Sequence, residues 1–428
     1  MKIRPFWVLA HRYAGLAMTV FLIIVGLTGS LLAFYRELEQ ALNPQLHVEA
    51  NGRPPLDMPT LIESAERLAP QARVDSVWLN PGAADISVSP RSKLTTGQAY
   101  ELDYTQLILD PYNGEELGRR NVGDISQGLT NLMPFVYKLH YALALGEWGG
   151  WILGITALVW TLDCFVGFYL TLPAAKRTQP LEQENASSGH TASKRSFWQR
   201  WRPAWLIKWR GSNYRINFDL HRAGGLWLWI VLLIFAWSSV FMNLGDTVYK
   251  TVMQTVSEFH QPWTEFPDLR KPMQHPAIGW REAYRIGQQA MARAAVEQGI
   301  QIEAPIGMWL NRAKGFYVFN VRSSADIQDK FGQTKAVIDA DSGEIKLLLL
   351  PSGQYNGNTI TTWLMALHMG NVFGLPYRIF VCVLGLAIVM LSVTGLVIWL
   401  KKRRAKAYHA KRAKLSAPPT IANNRELL

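Results

Sequence analysis

Cysteine is nearly absent from this 428-residue chain. The only two, Cys164 and Cys382, lie inside apolar runs, so no disulfide framework exists and any water-exposed domain must fold on core burial alone. No Cys-x-x-Cys-His string occurs, which excludes covalent c-type haem attachment. No Gly-x-Gly-x-x-Gly opens a helix after a strand, and no P-loop is present, so nothing points to a built-in dinucleotide or nucleotide site.

Charge is missing from four long stretches. Residues 14–35, 224–244 and 379–400 hold no Asp, Glu, Lys or Arg, and 149–172 holds one, Asp163. Each is long enough to cross a ~30 Å hydrocarbon layer, which takes roughly 20 helical residues. The fold class expected is a membrane protein with four transmembrane α-helices. The basic residues sort by segment. Segment 173–222 has ten Lys/Arg against three Asp/Glu, and 401–428 has nine against one. Segments 36–148 (nine against fifteen) and 245–378 (thirteen against twelve) show no such excess. Lys/Arg excess marks the cytoplasmic side. A multi-pass membrane protein is expected, with both termini and the middle loop on the cytoplasmic side and two long loops on the other. The net charge of +12 then reads as topology, not as nucleic-acid binding. Lys2 and Arg4 precede the first run, but that run is too long for a signal peptide and Phe34-Tyr35-Arg36-Glu37 is no small-residue cleavage site.

The chain reads as a duplicated unit of helix, outer domain and helix. His11-Arg12-Tyr13-Ala14-Gly15-Leu16 returns 210 residues on as His221-Arg222-Ala223-Gly224-Gly225-Leu226, and Leu139-His140 returns 228 on as Leu367-His368. Each outer segment predicts a small α+β domain. The first has a helix at 58–69 and strands near 74–79, 84–89 and 104–109. The second has a helix at 280–298 and strands near 306–311, 315–322, 335–340 and 344–350. Each closes on an Asp-x-x-x-Gly-Glu turn, at Asp110 to Glu115 and Asp339 to Glu344. The expected layout is 1–35, tail and first span; 36–138, first domain; 139–172, lead-in helix and second span; 173–217, cytoplasmic loop; 218–244, third span; 245–362, second domain; 363–400, lead-in helix and fourth span; 401–428, basic tail. Within the loop, 178–195 reads as a flexible linker. Trp198, Trp201, Trp205 and Trp209 among Arg200, Arg202, Lys208 and Arg210 read as a segment on the lipid headgroups.

Neutral imidazole is a strong iron ligand, and a haem between helices needs one or two axial side chains. His11 sits at the cytoplasmic end of its span and His140 at the outer end of the next. The ends of a span lie some 30 Å apart, so these two cannot share an iron. His11 with His221, and His140 with His368, lie at matched depths. Two bis-histidine haem b groups per chain are the expected cofactors, with these four histidines as axial ligands to iron. Arg12 and Arg222 adjoin two of them and either pair with haem propionates or simply anchor topology. Gly15, Gly224 and Gly225, and at the other pair Gly146, Gly370 and Gly374, give room for a flat macrocycle or a close helix. Asp163 either hydrogen-bonds the second nitrogen of a ligand near the cytoplasmic end, lowering the reduction potential, or joins two helices. Trp148, Trp151, Trp363 and Tyr141 either line a contact surface at the outer end or belong to the aromatic belt. His47, His190, His260, His275 and His409 are expected at the surface.

These motifs, in their order and duplication from about His11 to Leu400, resemble the PepSY-associated transmembrane proteins. Within that family the double-PepSY architecture is similar to the ferrisiderophore reductases of the bacterial inner membrane. The resemblance implies a haem-dependent oxidoreductase, with two b haems on His11, His221, His140 and His368, that reduces an iron–siderophore complex in the periplasm. The electron donor is then separate: a flavin reductase, a reduced flavin or a quinol. Two other readings stay open. One is a quinol-linked b-type cytochrome with another periplasmic acceptor. The other is a non-catalytic PepSY binding or regulatory protein, which has no use for four histidines at matched membrane depths.

Overall fold

The computed structural model describes residues 3–50, 52–93, 96–174 and 196–415. The linker expected at 178–195, His190 within it, lies outside the described residues. Among the described residues four helices are long and apolar enough to cross a membrane: Ile3–Leu32, Gly146–Thr171, Trp229–Val256 and Gly374–Ala410. They are the first to fourth spans, and with them the chain is a multi-pass membrane protein. It divides into two compact units.

One unit comprises Met1–Ile23, Val159–Leu233 and Leu386–Leu428. Its helix Asn213–Trp227 is capped at Ser212, which accepts from the Arg215 backbone N–H at 3.3 Å. The Trp/Arg segment begins at Phe197–Trp201, where Ser196 and Gln199 form a reciprocal capping box. Trp201 is buried with Ala204 and Leu226 and packs on Phe168 and Leu172, while Trp198, Trp205 and Trp209 stay exposed. Asp219, fully buried, ties this segment down. Its carboxylate accepts from Arg215, Arg222 and the Lys208 backbone N–H.

The other unit comprises Ile24–Leu158 and Ile234–Gly385. Among the described residues it holds one antiparallel sheet of eight strands: β1 Ala72–Asn80, β2 Ala83–Pro90, β3 Gln106–Leu109, β4 Glu116–Arg120, β5 Ile302–Asn311, β6 Phe316–Ser323, β7 Thr334–Asp339 and β8 Ile345–Leu349. The order is β4-β3-β2-β1-β5-β6-β7-β8. The two halves therefore share a sheet through β1–β5 pairing, where two separate sheets were expected. Each half alone would leave a strand edge with unpaired N–H and C=O groups, and joining the edges satisfies both. Trp78 crosses this seam over Gly307, where a Cβ would come within 2.3 Å of the indole. Arg312 reaches back from the second half to the Asp75 carboxylate at 2.7 Å and the Val74 carbonyl at 2.9 Å.

The helices Met58–Leu68 and Trp280–Gln298 fall within a residue of the ranges read from periodicity. Asp57 caps the first by accepting from Thr60 N–H at 2.8 Å, and Gly299 ends the second in the left-handed region. Leu61, Ile62, Met291, Tyr317 and Phe319 belong to one core between helices and sheet. Each large apolar side chain buried there contributes ~1.5–3 kcal/mol. The two Asp-x-x-x-Gly-Glu turns close alike. Gly114 N–H donates to Asp110 O at 2.9 Å, and Gly343 N–H to Asp339 O at 3.0 Å.

Two shorter helices, Leu132–Ala142 and Asn356–His368, precede the second and fourth spans. The first ends where Leu143 and Ala144 take positive φ, and the second is followed by Gly370 with φ 63°. At the start of the fourth span Arg378 is buried. Its Nε donates to Ala33 O at 2.9 Å, and its Nη atoms grip both oxygens of Glu37.

Candidate cofactor sites

The four histidines come together as two pairs, each inside one unit. His11 (first span) faces His221 (helix Asn213–Trp227), with ring centres 6.1 Å apart and planes at 54°. His140, in the last turn of Leu132–Ala142, faces His368, the last residue of Asn356–His368, with ring centres 6.3 Å apart and planes at 64°. An imidazole nitrogen binds a metal at about 2 Å, and the ring centre lies about 1 Å further back, so two rings gripping one metal from opposite sides have centres about 6 Å apart. Both pairs meet that condition.

The second ring nitrogen decides whether Nε2 is free to ligate. His221 Nδ1 lies 2.9 Å from Leu391 O and 3.2 Å from Thr394 Oγ1. A carbonyl only accepts, so Nδ1 carries the proton and Nε2 keeps its lone pair. At the other pair, His140 Nδ1 lies 3.0 Å from Thr28 Oγ1, whose own proton goes to Ile24 O at 2.7 Å. His368 Nδ1 lies 2.7 Å from Ser238 Oγ, whose proton goes to Phe235 O at 3.0 Å. Both hydroxyl oxygens therefore accept from Nδ1–H. His11 Nδ1 faces both carboxylate oxygens of Asp163, at 2.9 and 3.0 Å. Asp163, on the second span, thus bonds His11 on the first, which joins two helices and engages this Nδ1 at once. Among the described residues, Nε2 of none of the four has a hydrogen-bond partner. Phe235 also stacks on His368 at 4.7 Å.

The His11–His221 pair opens onto a cavity of ≈ 460 Å³, within the range of about 300–1,000 Å³ usual for cofactor sites. Gly15 and Gly225 line it, and a Cβ at either would meet nothing within 4 Å, so both face open space. Gly224 behaves differently and packs on Met390 and Leu391. Among the described residues no three His, Cys, Asp or Glu gather as a cage for a bare ion. Two axial imidazoles beside a wide apolar slot suit a metal that brings its own equatorial ligands, as a porphyrin does.

Arg12 and Arg222 both line this cavity, but their commitments differ. Arg222 is held by Asp219 and the Pro203 carbonyl. Arg4 is spent on the Leu170 and Leu172 carbonyls. Among the described residues neither Arg12 nor Lys402, which is also at the wall, has a side-chain hydrogen bond or ion pair. Trp148, Trp151, Trp363 and Tyr141 are all exposed. His275 and His409 are exposed as expected. His260 is half-buried beside Glu265, and His47 is half-buried with neither ring nitrogen partnered, so neither is a plain surface residue.

Sequence reasoning missed three glycines that seat the rings. A Cβ at Gly29 would lie 3.0 Å from His140 Cε1, one at Gly395 3.1 Å from His221 Cε1, and one at Gly167 3.6 Å from His11 Cε1. It also missed Thr28, Ser238 and Thr394. Their signal was present as small or hydroxylated residues inside apolar runs.

No curated protein matches the chain. A family model does, over residues 8–402, a range that takes in all four histidines and the whole eight-stranded sheet. With nearly its full length matched, the chain belongs to the PepSY-associated TM region family.

Proposed function

We propose that this protein is a di-haem reductase of the bacterial inner membrane, passing electrons outward to an Fe(III)–siderophore complex in the periplasm. The observation that carries this reading is the pair of opposed histidine couples at about 6 Å with every Nδ1 already engaged. A haem iron held between two imidazoles supplies a one-electron carrier cycling between Fe(III) and Fe(II). The side chains of this protein then have four tasks. The histidines would hold the iron through Nε2. Asp163, Thr28, Ser238 and the Leu391 carbonyl fix their rings. Arg12 answers propionate charge. The apolar cavity wall excludes water.

Lys/Arg excess in 173–222 and 401–428 supports a cytoplasmic position for His11 and His221, and a periplasmic one for His140, His368 and the sheet. Siderophores hold Fe(III) through hard oxygen donors. One electron turns it into Fe(II), which those donors hold far less tightly, and the iron leaves. The electron comes from a separate donor: a flavin reductase, a reduced flavin or a quinol.

The test uses detergent-purified full-length protein from haem-replete cells. A dithionite-reduced b-type spectrum and about two haems per chain by pyridine haemochrome are expected. Anaerobic mixing of reduced protein with an iron–siderophore should then reoxidise it. Haem-free protein overturns the reading. Fast reoxidation by another acceptor, with none by any ferric chelate, would instead support a b-type cytochrome serving that acceptor.

A further inference from the structure

The four ligand histidines have unequal partners. His140 and His368 give their Nδ1 protons to neutral hydroxyls, and His221 gives its own to a neutral carbonyl. His11 alone meets a carboxylate, and meets both of its oxygens. The duplication makes this difference sharp. Asp163 follows His140 by 23 residues, and Leu391 follows His368 by 23. The two are the same position in the two halves. One half holds a carboxylate there. The other holds leucine, whose backbone carbonyl does the orienting.

Orientation therefore does not require a charge, since neutral acceptors achieve it at three of four ligands. A carboxylate in an apolar run is expensive, and the Asp163 side chain is only 10% exposed. Its distinct effect is electronic. A carboxylate draws the Nδ1 proton toward itself and makes Nε2 a stronger donor. Its negative charge acts in the same direction in a low-dielectric setting. Both favour the higher oxidation state of a metal on Nε2.

We propose that Asp163 holds the His11–His221 site at a lower reduction potential than the His140–His368 site. Electrons delivered at the first site then run downhill to the second, so direction is built into one residue of the duplicated pair. This rests on the haem reading and adds to it which site receives the electron and which passes it on.

The experiment is a spectroelectrochemical titration of the full-length haem-loaded protein. Wild type should show two components, and His221→Ala should remove the lower one. Asp163→Asn, which keeps a hydrogen-bonding side chain but loses the charge, should raise the lower potential by at least 59 mV, a tenfold change in the one-electron equilibrium. The upper component should stay where it is, and Asp163→Glu, which keeps the charge, should leave the lower potential near its wild-type value. Loss of the upper component in His221→Ala overturns the proposal, and that result needs no Asp163 variant to fold. So does a haem-replete Asp163→Asn protein whose lower potential has not moved. Absence of haem from wild type would sink the reading beneath it instead, and the two failures are thereby told apart.

Discussion

Thr28 and Ser238 hold the same station in the two halves of the chain. Each follows a histidine of the first pair by 17 residues, and each accepts the Nδ1 proton of a histidine of the second pair. The glycines obey the same register. Gly167 follows His140 by 27 residues and Gly395 follows His368 by 27, and each lies against a ring of the first pair. The duplication thus extends from the histidines to the groups that hold their rings.

Ligand removal should separate the sites. His11→Ala and His221→Ala are expected to lose one and the same haem, and His140→Ala and His368→Ala the other, each leaving about one haem per chain. Pyridine haemochrome on the four purified variants reads this directly. A variant from each pair depleting the same haem would break the pairing.

Replacing the hydroxyl supports should weaken the second site selectively. Thr28→Val and Ser238→Ala each strand a buried Nδ1–H, a cost of ~1–3 kcal/mol. Loss of a ligand's outer hydrogen bond lowers metal affinity about 10–100-fold. Haem retention during dilution should fall at the His140–His368 site and hold at the other.

The ring seats differ in tolerance. Gly29→Ala puts a methyl 3.0 Å from His140 Cε1, and Gly395→Ala puts one 3.1 Å from His221 Cε1, so each ring must shift by a few tenths of an ångström. Gly167→Ala makes only ordinary contact at 3.6 Å. The Soret band or haem content should change in the first two variants, one at each site, and stay near wild type in the third.

Arg12 and Arg222 should part company. Arg12→Met removes the uncommitted cation and should speed haem loss from the His11–His221 site without lowering melting temperature. Arg222→Met breaks the contact with Asp219 and should lower melting temperature as well. Differential scanning fluorimetry alongside haem release distinguishes them.

Acid should loosen the Glu37–Arg378 clamp. The hydrogen bond from Arg378 holds the Glu37 carboxylate down to about 2, from a usual 4.5. A depressed carboxylate stabilises the fold above its unfolded pKa, and that contribution fades as pH falls from about 4.5 toward 2. Glu37 is half-exposed, which keeps the effect modest. Glu37→Gln should flatten this part of the acid limb of a stability–pH curve and leave the rest unchanged.

The sequence by itself determined the spans, because each of four runs nearly free of charge is long enough to cross a hydrocarbon layer of ~30 Å. It determined the duplication and the pairing of histidines, because repeated strings place equivalent residues at equivalent depth. It also carried the helices Met58–Leu68 and Trp280–Gln298 and the two Asp-x-x-x-Gly-Glu turns, whose signals are local. Only the tertiary structure decided that the two domains share one sheet, because strand-edge pairing between β1 and β5 joins residues far apart in the chain and leaves no periodic trace. The same holds for what meets each Nδ1. A hydroxyl, a backbone carbonyl and a carboxylate can all accept one proton, and which of them arrives is set by how neighbouring helices pack.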